Sequence, residues 1–306
     1  MRFLNMKTDY AFKKVFGSQN SKDILLSFLN ATLELNYPIA DLTIEDPYNV
    51  PKLQGMKDTA VDVKATLSDN SKVIIEMQIL NHDGFESRIL YNTAKNYANQ
   101  LDKGDKYTLL NPVIALTIVN FTMFETPHYK SIYQLLEKEN FSKYRDDIQL
   151  VFIELPKFDK SFEECETIEE KWISFIKNAR DIKVMPKLKD PNLKKAFEVA
   201  NTASLSKEEL ELQEKREEFI WMQKSSVEKA KREGREEGKE EGREEGREEG
   251  REEGREEGRE EGREEGREEG REARSIEIAK NLLDVLDNET IALKTGLDVD
   301  TIEALR

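Results

Sequence analysis

Apolar positions first recur at helical spacing, with Phe12, Val15 and Phe16, then Ile24, Leu25, Phe28 and Leu29, at three- and four-residue steps. That period predicts two amphipathic helices. Gly17-Ser18-Gln19-Asn20-Ser21 separates them, with Ser21 the expected side-chain cap of the second. Residues 37–55 carry prolines and polar positions without a period. Residues 60–65 then alternate, Val61, Val63 and Ala65 on one side and Asp62 and Lys64 on the other, as a half-buried strand does. Ser68-Asp69-Asn70-Ser71 is turn chemistry, and residues 72–80 resume an extended, β-branched run through Val73, Ile74 and Ile75. Together they predict a hairpin.

Residues 86–101 return to helical register through Ile89, Leu90, Ala94, Tyr97 and Leu101. The runs 112–124 and 148–155 read as buried strands, and 162–224 as helical, with Trp172, Phe175, Ile176, Leu210, Phe219 and Ile220 as packing positions. Strands mixed with helices over the first 158 residues give an α/β core. A helical addition follows over 159–230, a charged tract over 231–274 and a short helical pair over 275–306.

Charge changes the picture at the tract. Nine four-residue units in residues 235–270, each with one basic and two acidic residues, carry −9 of the formal −15 and leave −6 on the other 270 residues. The rest of the chain is therefore mild enough to form a local basic groove for phosphates. A four-residue step advances about 400° on a helix, so each residue type drifts about 40° per unit and no seam exists for a coiled coil. Each glycine costs roughly 1 kcal/mol against alanine. The tract is expected to be an exposed, fraying helix or tether.

Cys165 is the one cysteine and His82 and His128 the two histidines, so an internal disulfide and the usual zinc spacings are excluded. No apolar run at the N-terminus resembles a signal peptide and none later approaches a membrane span, which makes a cytoplasmic protein without membrane partners the expectation.

The hairpin is where residue spacing meets a chemical requirement. With its turn near Asp69, Asp62 falls opposite Glu76 and Lys64 opposite Ile74, while Gln78 shares the face of Glu76. Val61, Val63, Ile75 and Met77 go to the other face. Neighbouring carboxylates repel unless a cation sits between them, and oxygen ligands suit Mg²⁺. From spacing alone, the wet face of an ordinary hairpin accounts for the two acids equally well.

These strings, Val61-Asp62-Val63-Lys64 and Ile75-Glu76-Met77-Gln78, resemble the hairpin of the PD-(D/E)XK nucleases, with Gln78 where the motif has lysine. Thr8-Asp9-Tyr10-Ala11-Phe12-Lys13-Lys14-Val15-Phe16-Gly17 ahead of them and Arg88-Ile89-Leu90-Tyr91 behind are similar to the Rpn family of recombination-promoting nucleases and transposases. That family often has Gln at this position and often ends in a Gly-Arg-Glu-Glu repeat. The resemblance spans roughly residues 1–230 and implies a restriction-endonuclease-like mixed sheet flanked by helices. It further implies Mg²⁺, with Mn²⁺ as a substitute, held by Asp62, Glu76 and the main chain of Met77, with Gln78 orienting the water. The implied activity is DNA phosphodiester hydrolysis linked to recombination or element mobility.

Lys13, Lys14, Lys64 and Arg88 are the candidate DNA contacts, against solvated surface as the plain alternative; Lys64 also offers partial replacement of the motif lysine. Asp9 is expected to cap or buttress the first helix, Tyr91 and Tyr97 to belong to the core, and His82 to be solvated. After the repeat, Ala292, Gly296 and Ile302 have helix-turn-helix spacing. The second helix, however, sets Asp298, Asp300 and Glu303 against Arg306, which phosphates would repel. A packing or self-association module is the stronger reading there. Two rivals to the nuclease stay open: a catalytically silent DNA-binding or assembly module on the same fold, and a structural protein organised by the repeat.

Overall fold

The computed structural model describes residues 2–49 and 59–306; the expectation for residues 50–55 lies outside them. Two compact units result, Met1–Ser225 and Ser226–Arg306.

In the first unit, α1 (Asp9–Phe16) begins at Thr8, whose side chain accepts from the Ala11 N–H, and buries Ala11, Phe12, Val15 and Phe16. Gly17 ends it at a close approach: a Cβ there would stand 3.0 Å from the Lys13 carbonyl oxygen and 3.4 Å from the Val63 side chain. The helix is thereby drawn tight against the sheet. Before α2 (Lys22–Thr32) the chain makes a 3-10 turn, Gln19–Ser21, capped by Ser18. Ser21 itself is buried and gives α2 no side-chain hydrogen bond, because the turn runs straight into the helix and moves the cap three residues upstream.

A six-stranded sheet runs in the order β1-β4-β5-β6-β8-β7. Its strands are β1 (Leu42–Glu45), β4 (Val63–Leu67), β5 (Lys72–Gln78), β6 (Val113–Val119), β7 (Lys130–Gln134) and β8 (Ile148–Glu154). Strands β2 (Tyr48–Asn49) and β3 (Thr59–Ala60) form a separate ribbon. β4 and β5 make the antiparallel hairpin, and Lys64 does pair with Ile74. β5, β6 and β8 are parallel, and both faces of the sheet are covered there. The edge strand β7 escaped the sequence reading because it is only half-buried and lacks clean alternation.

The expected strand over residues 60–65 is broken. β3 ends at Ala60, β4 starts at Val63, and the chain bends at Asp62. The bend reverses the alternation, so Val61 packs with Ile74, Phe85, Ile89, Ala115, Val119 and Phe152, while Val63, Ile75 and Met77 join the main core. That main core unites the sheet with α1, α2, α4 (Ile168–Asn178) and α5 (Pro191–Val199), and Trp172 sits at its centre against Phe16, Phe28 and Phe175. Truncating any of these rings costs about 3–5 kcal/mol.

α3 (Phe85–Ala98) covers the opposite face, turned from the expected phase. Phe85 and Ile89 anchor it, which brings Asn92, Thr93 and Asn96 inward and leaves Leu90 and Tyr91 53% and 40% exposed. Backbone acceptors make the polar face tolerable: Thr93 Oγ1 donates to the Ile89 carbonyl at 2.7 Å and Asn96 Nδ2 to that of Asn92 at 2.8 Å.

α6 is helical over Lys207–Leu282, and its first turns pack on α1. Gln213 is the buried position there, whereas Phe219, expected to pack, is 58% exposed. In the second unit every repeat residue is exposed. The end of α6, α7 (Asn288–Thr295) and α8 (Val299–Leu305) close around Ala279, Ile291 and Ile302. Gly296, at φ 74°, makes the left-handed turn that the helix-turn-helix spacing requires.

Candidate active site

The break at Asp62 builds one half of the site. Where the ladder stops at the Val63 and Ile75 pair, the Asp62 N–H still donates to the Ile75 carbonyl at 3.1 Å. Its carboxylate then takes the place of the missing strand, Oδ2 accepting the Met77 N–H at 2.8 Å. Asp62 Oδ1 lies 3.4 Å from Lys13 Nζ, and Asp9 stands within hydrogen-bond reach of the same carboxyl. Asp9 in turn holds Lys13 Nζ at 2.7 Å and Arg216 Nη1 of α6 at 2.8 Å.

Burial pushes the Asp62 carboxyl up to about 7, against the pull of the Met77 N–H and with a further push from Asp9. For Asp9, burial is outweighed by hydrogen bonds from Lys13 and Asp62 and by Arg216, which hold it below its ordinary value. The two acids therefore titrate as a pair, which binds a shared proton more tightly than an isolated carboxyl does.

Glu76 builds the other half. On β5 it points toward α3, where Arg88 Nη2 reaches Glu76 Oε1 at 2.5 Å and Gln78 Oε1 at 3.0 Å. Gln78 Nε2 donates to the Leu80 carbonyl at 2.9 Å and lies 3.4 Å from His82 Nε2. The guanidinium also lies 5.2 Å from the Phe85 ring centre. Burial raises the Glu76 carboxyl, and Arg88 and His82 work against the rise. A fixed cation thus stands beside the position where the motif lysine would be, supplied from α3 and held by Gln78.

A family model described as PD-(D/E)XK nuclease family transposase matches residues 6–230. The chain belongs to that family. Its sheet and helices are consistent with a restriction-endonuclease-like fold. The match takes in Asp9, Asp62, Glu76, Gln78, Arg88 and Arg216 and stops before the repeat. No curated protein and no solved structure matches the chain.

PD-(D/E)XK nucleases generally use divalent metal ions, and the donor types present fit one. Asp62 and Glu76 are half-buried oxygen donors, both held above their ordinary carboxyl range by the cost of being charged there, and a hard cation would offset that cost. Along β5, Ile75 C=O and Met77 N–H both face Asp62, whereas the Gln78 carbonyl faces β6 and accepts from Asn120 at 2.9 Å. Strand alternation therefore directs the Met77 carbonyl past the end of β4, to the Asp62 side. Among the described residues no group of three acidic, His or Cys side chains is already gathered on one point; Lys13 and Arg88 occupy the space next to the acids.

The predicted DNA contacts separate. Lys13 and Arg88 lie in the site. Lys14 pairs with Glu209 at 2.5 Å, beside Tyr10, on the side of α1 that meets α6. Lys64 points to the far end of the hairpin, 3.4 Å from Glu45, which Lys72 holds at 2.9 Å, so it does not stand in for the motif lysine. Asp9 and Arg216 are the residues that sequence reasoning undervalued. Only the i, i+4 spacing of Asp9 and Lys13 was visible, since the Arg216 contact spans 207 residues. Thr8, not Asp9, caps the helix.

Proposed function

We propose that this chain is a Mg²⁺-dependent DNA endonuclease, with Mn²⁺ as a substitute ion, linked to recombination or transposon-like mobility. The observation that carries the reading is the pair of half-buried carboxylates where β5 passes the start of β4, one held from α1 and the other from α3, with Arg88 fixed across Glu76 and Gln78. Asp62, Glu76 and the Met77 carbonyl hold the ion. When bound it polarises the phosphodiester and lowers the pKa of its water. Asp9 keeps Lys13 and Arg216 in place, and the proton that Asp62 would give up on becoming a ligand is released to solvent. Gln78, its amide fixed by Arg88 and Leu80, orients the water and the guanidinium. Arg88 and Lys13 supply the positive charge that stabilises the phosphorane.

Plasmid nicking with Mg²⁺, Mn²⁺ or EDTA, run on the wild type and on Asp62→Ala, tests the reading. Nicking that needs a divalent ion and disappears in the variant supports it. Equal nicking in EDTA, or in the variant, overturns it. The neutral Gln78 favours one rival, a silent DNA-binding module, and DNA binding with no nicking under any ion would establish that rival.

A further inference from the structure

A second group of cations adjoins the site and takes no part in it. Lys7, two residues before Asp9, stands among Lys177 of α4, Arg180 and Asp181 of the 3-10 turn that follows it, and Lys224 of α6. Arg180 is paired with Glu217 at 2.8 Å. Lys7 Nζ donates to the Lys177 carbonyl at 3.1 Å, and Lys177 Nζ donates to the Phe158 carbonyl. An ammonium has three protons, so each keeps donors to spare. Among the described residues neither Lys7, Lys177 nor Lys224 forms an ion pair with a carboxylate, although Asp159 and Asp181 contribute opposite charge nearby. Burial and the neighbouring cations hold Lys7 below the ordinary lysine range. Such crowding is relieved when an anion enters.

The exposed tryptophan lies in the same stretch. Trp221 is 68% exposed, while Trp172 is fully buried. It precedes Lys224 by three residues, on the same side of α6. From Arg216, which holds Asp9, to Lys224 the helix rises about 12 Å. The cluster therefore lies within a few nucleotides of Asp9 along a bound strand.

We propose that Lys7, Lys177 and Lys224 bind phosphates of a single-stranded segment flanking the scissile bond and that Trp221 stacks one of its bases. This rests on the nuclease reading and names the form of substrate: nucleic acid that is single-stranded beside the cut. Stacking platforms interleaved with cations are how proteins grip single strands without reading their sequence. An acidic peptide would satisfy the lysines but has no use for a ring at this spacing.

The full chain in EDTA is titrated with a (dT)12 oligonucleotide, a 12-base-pair duplex, or poly-glutamate, following tryptophan emission. Expected is quenching by (dT)12, strong against either of the others and lost in Trp221→Phe, which weakens binding on the order of 10-fold. Lys224→Glu lowers the slope of log affinity against log salt by about 0.7, the value for one phosphate of a single strand. Trp221 is exposed and Lys224 half-buried, and unchanged thermal melts verify that the variants fold. Normal plasmid nicking without quenching overturns the inference and spares the nuclease reading, as does equal binding of the duplex. Poly-glutamate quenching above (dT)12 overturns it in favour of a protein partner. Neither nicking nor binding of any DNA overturns both.

Discussion

On the α3 side of the site every partner of Glu76 comes from one short stretch of chain, Arg88 lying twelve residues away. On the α1 side, Asp62 depends on Lys13 and Asp9, and Asp9 on Arg216, 207 residues further along. The α3 half is assembled by a strand and the helix that follows it. The α1 half exists only once α1, the hairpin and α6 have packed together. The first is local chemistry that folding of one supersecondary unit supplies; the second reports on the completed domain.

The largest effects should come from removing either half's carboxylate. Asp62→Ala and Glu76→Ala are each expected to lower the nicking rate by about 10³-fold or more, the scale of losing groups that act as a unit, with urea midpoints showing a folded chain. If the two variants differ by more than about 10-fold, the halves do not act on one ion.

Arg88 sharpens the comparison next. Arg88→Ala should lower nicking by about 10²-fold, the loss seen when one donor to developing negative charge is removed. Adding Gln78→Lys should recover part of it, because a lysine on β5 returns a cation to the motif position. Gln78→Lys alone should keep or raise the wild-type rate. No recovery in the double variant would mean that Arg88 serves to hold Glu76 and Gln78 rather than to face the phosphate.

How much of this was legible in the sequence follows the same division. The hairpin register, with Lys64 opposite Ile74, came from alternation and turn residues alone. Glu76 and Gln78 were found because strand periodicity puts them on one face. Arg88 reads from the sequence as a cation but not as a neighbour of Gln78, since the loop between β5 and α3 has no period from which a distance follows. The bend at Asp62 was invisible: alternation in residues 60–65 looks unbroken, and it is Met77 N–H that takes the carboxylate. Hydrophobicity favours Leu90 and Ala94 as the inner side of α3, whereas two anchors, Phe85 and Ile89, decide which side meets the sheet. Pairings such as Asp9 with Arg216 leave no short-range signal at all.

The α1 half makes a pH prediction. Asp62 binds its proton more tightly in the folded chain, at about 7, than at its ordinary 3.8. Stability without divalent ions should therefore fall as pH rises from about 4 to 7 and level off above. Asp9, held below its ordinary value, works the other way and only at lower pH. Thermal melts at pH 5 and 8 in EDTA should show wild type losing a few degrees more than Asp62→Asn. Equal losses would mean that the shared proton is absent. Arg216→Ala should shift this dependence and lower nicking about 10-fold, while Glu76 keeps its Arg88 partner.

The smallest effect belongs to the repeat, which lies beyond the turns of α6 that supply Arg216. Deleting residues 243–258 removes four of the nine units and −4 of charge without touching a buried side chain. Nicking rate, ion dependence and urea midpoint should all stay within error of wild type. α6 is helical through the repeat, yet each glycine there costs roughly 1 kcal/mol and every residue faces water. A peptide of residues 235–270 should thus be only partly helical by circular dichroism and should sediment as a monomer at all concentrations. Arg-to-Glu pairs along one helix give a few tenths of a kcal/mol each, too little to hold two copies together without an apolar seam. A stable oligomer of that peptide would contradict this and give the repeat an assembly role, leaving the two halves of the site untouched but placing them in a multimer.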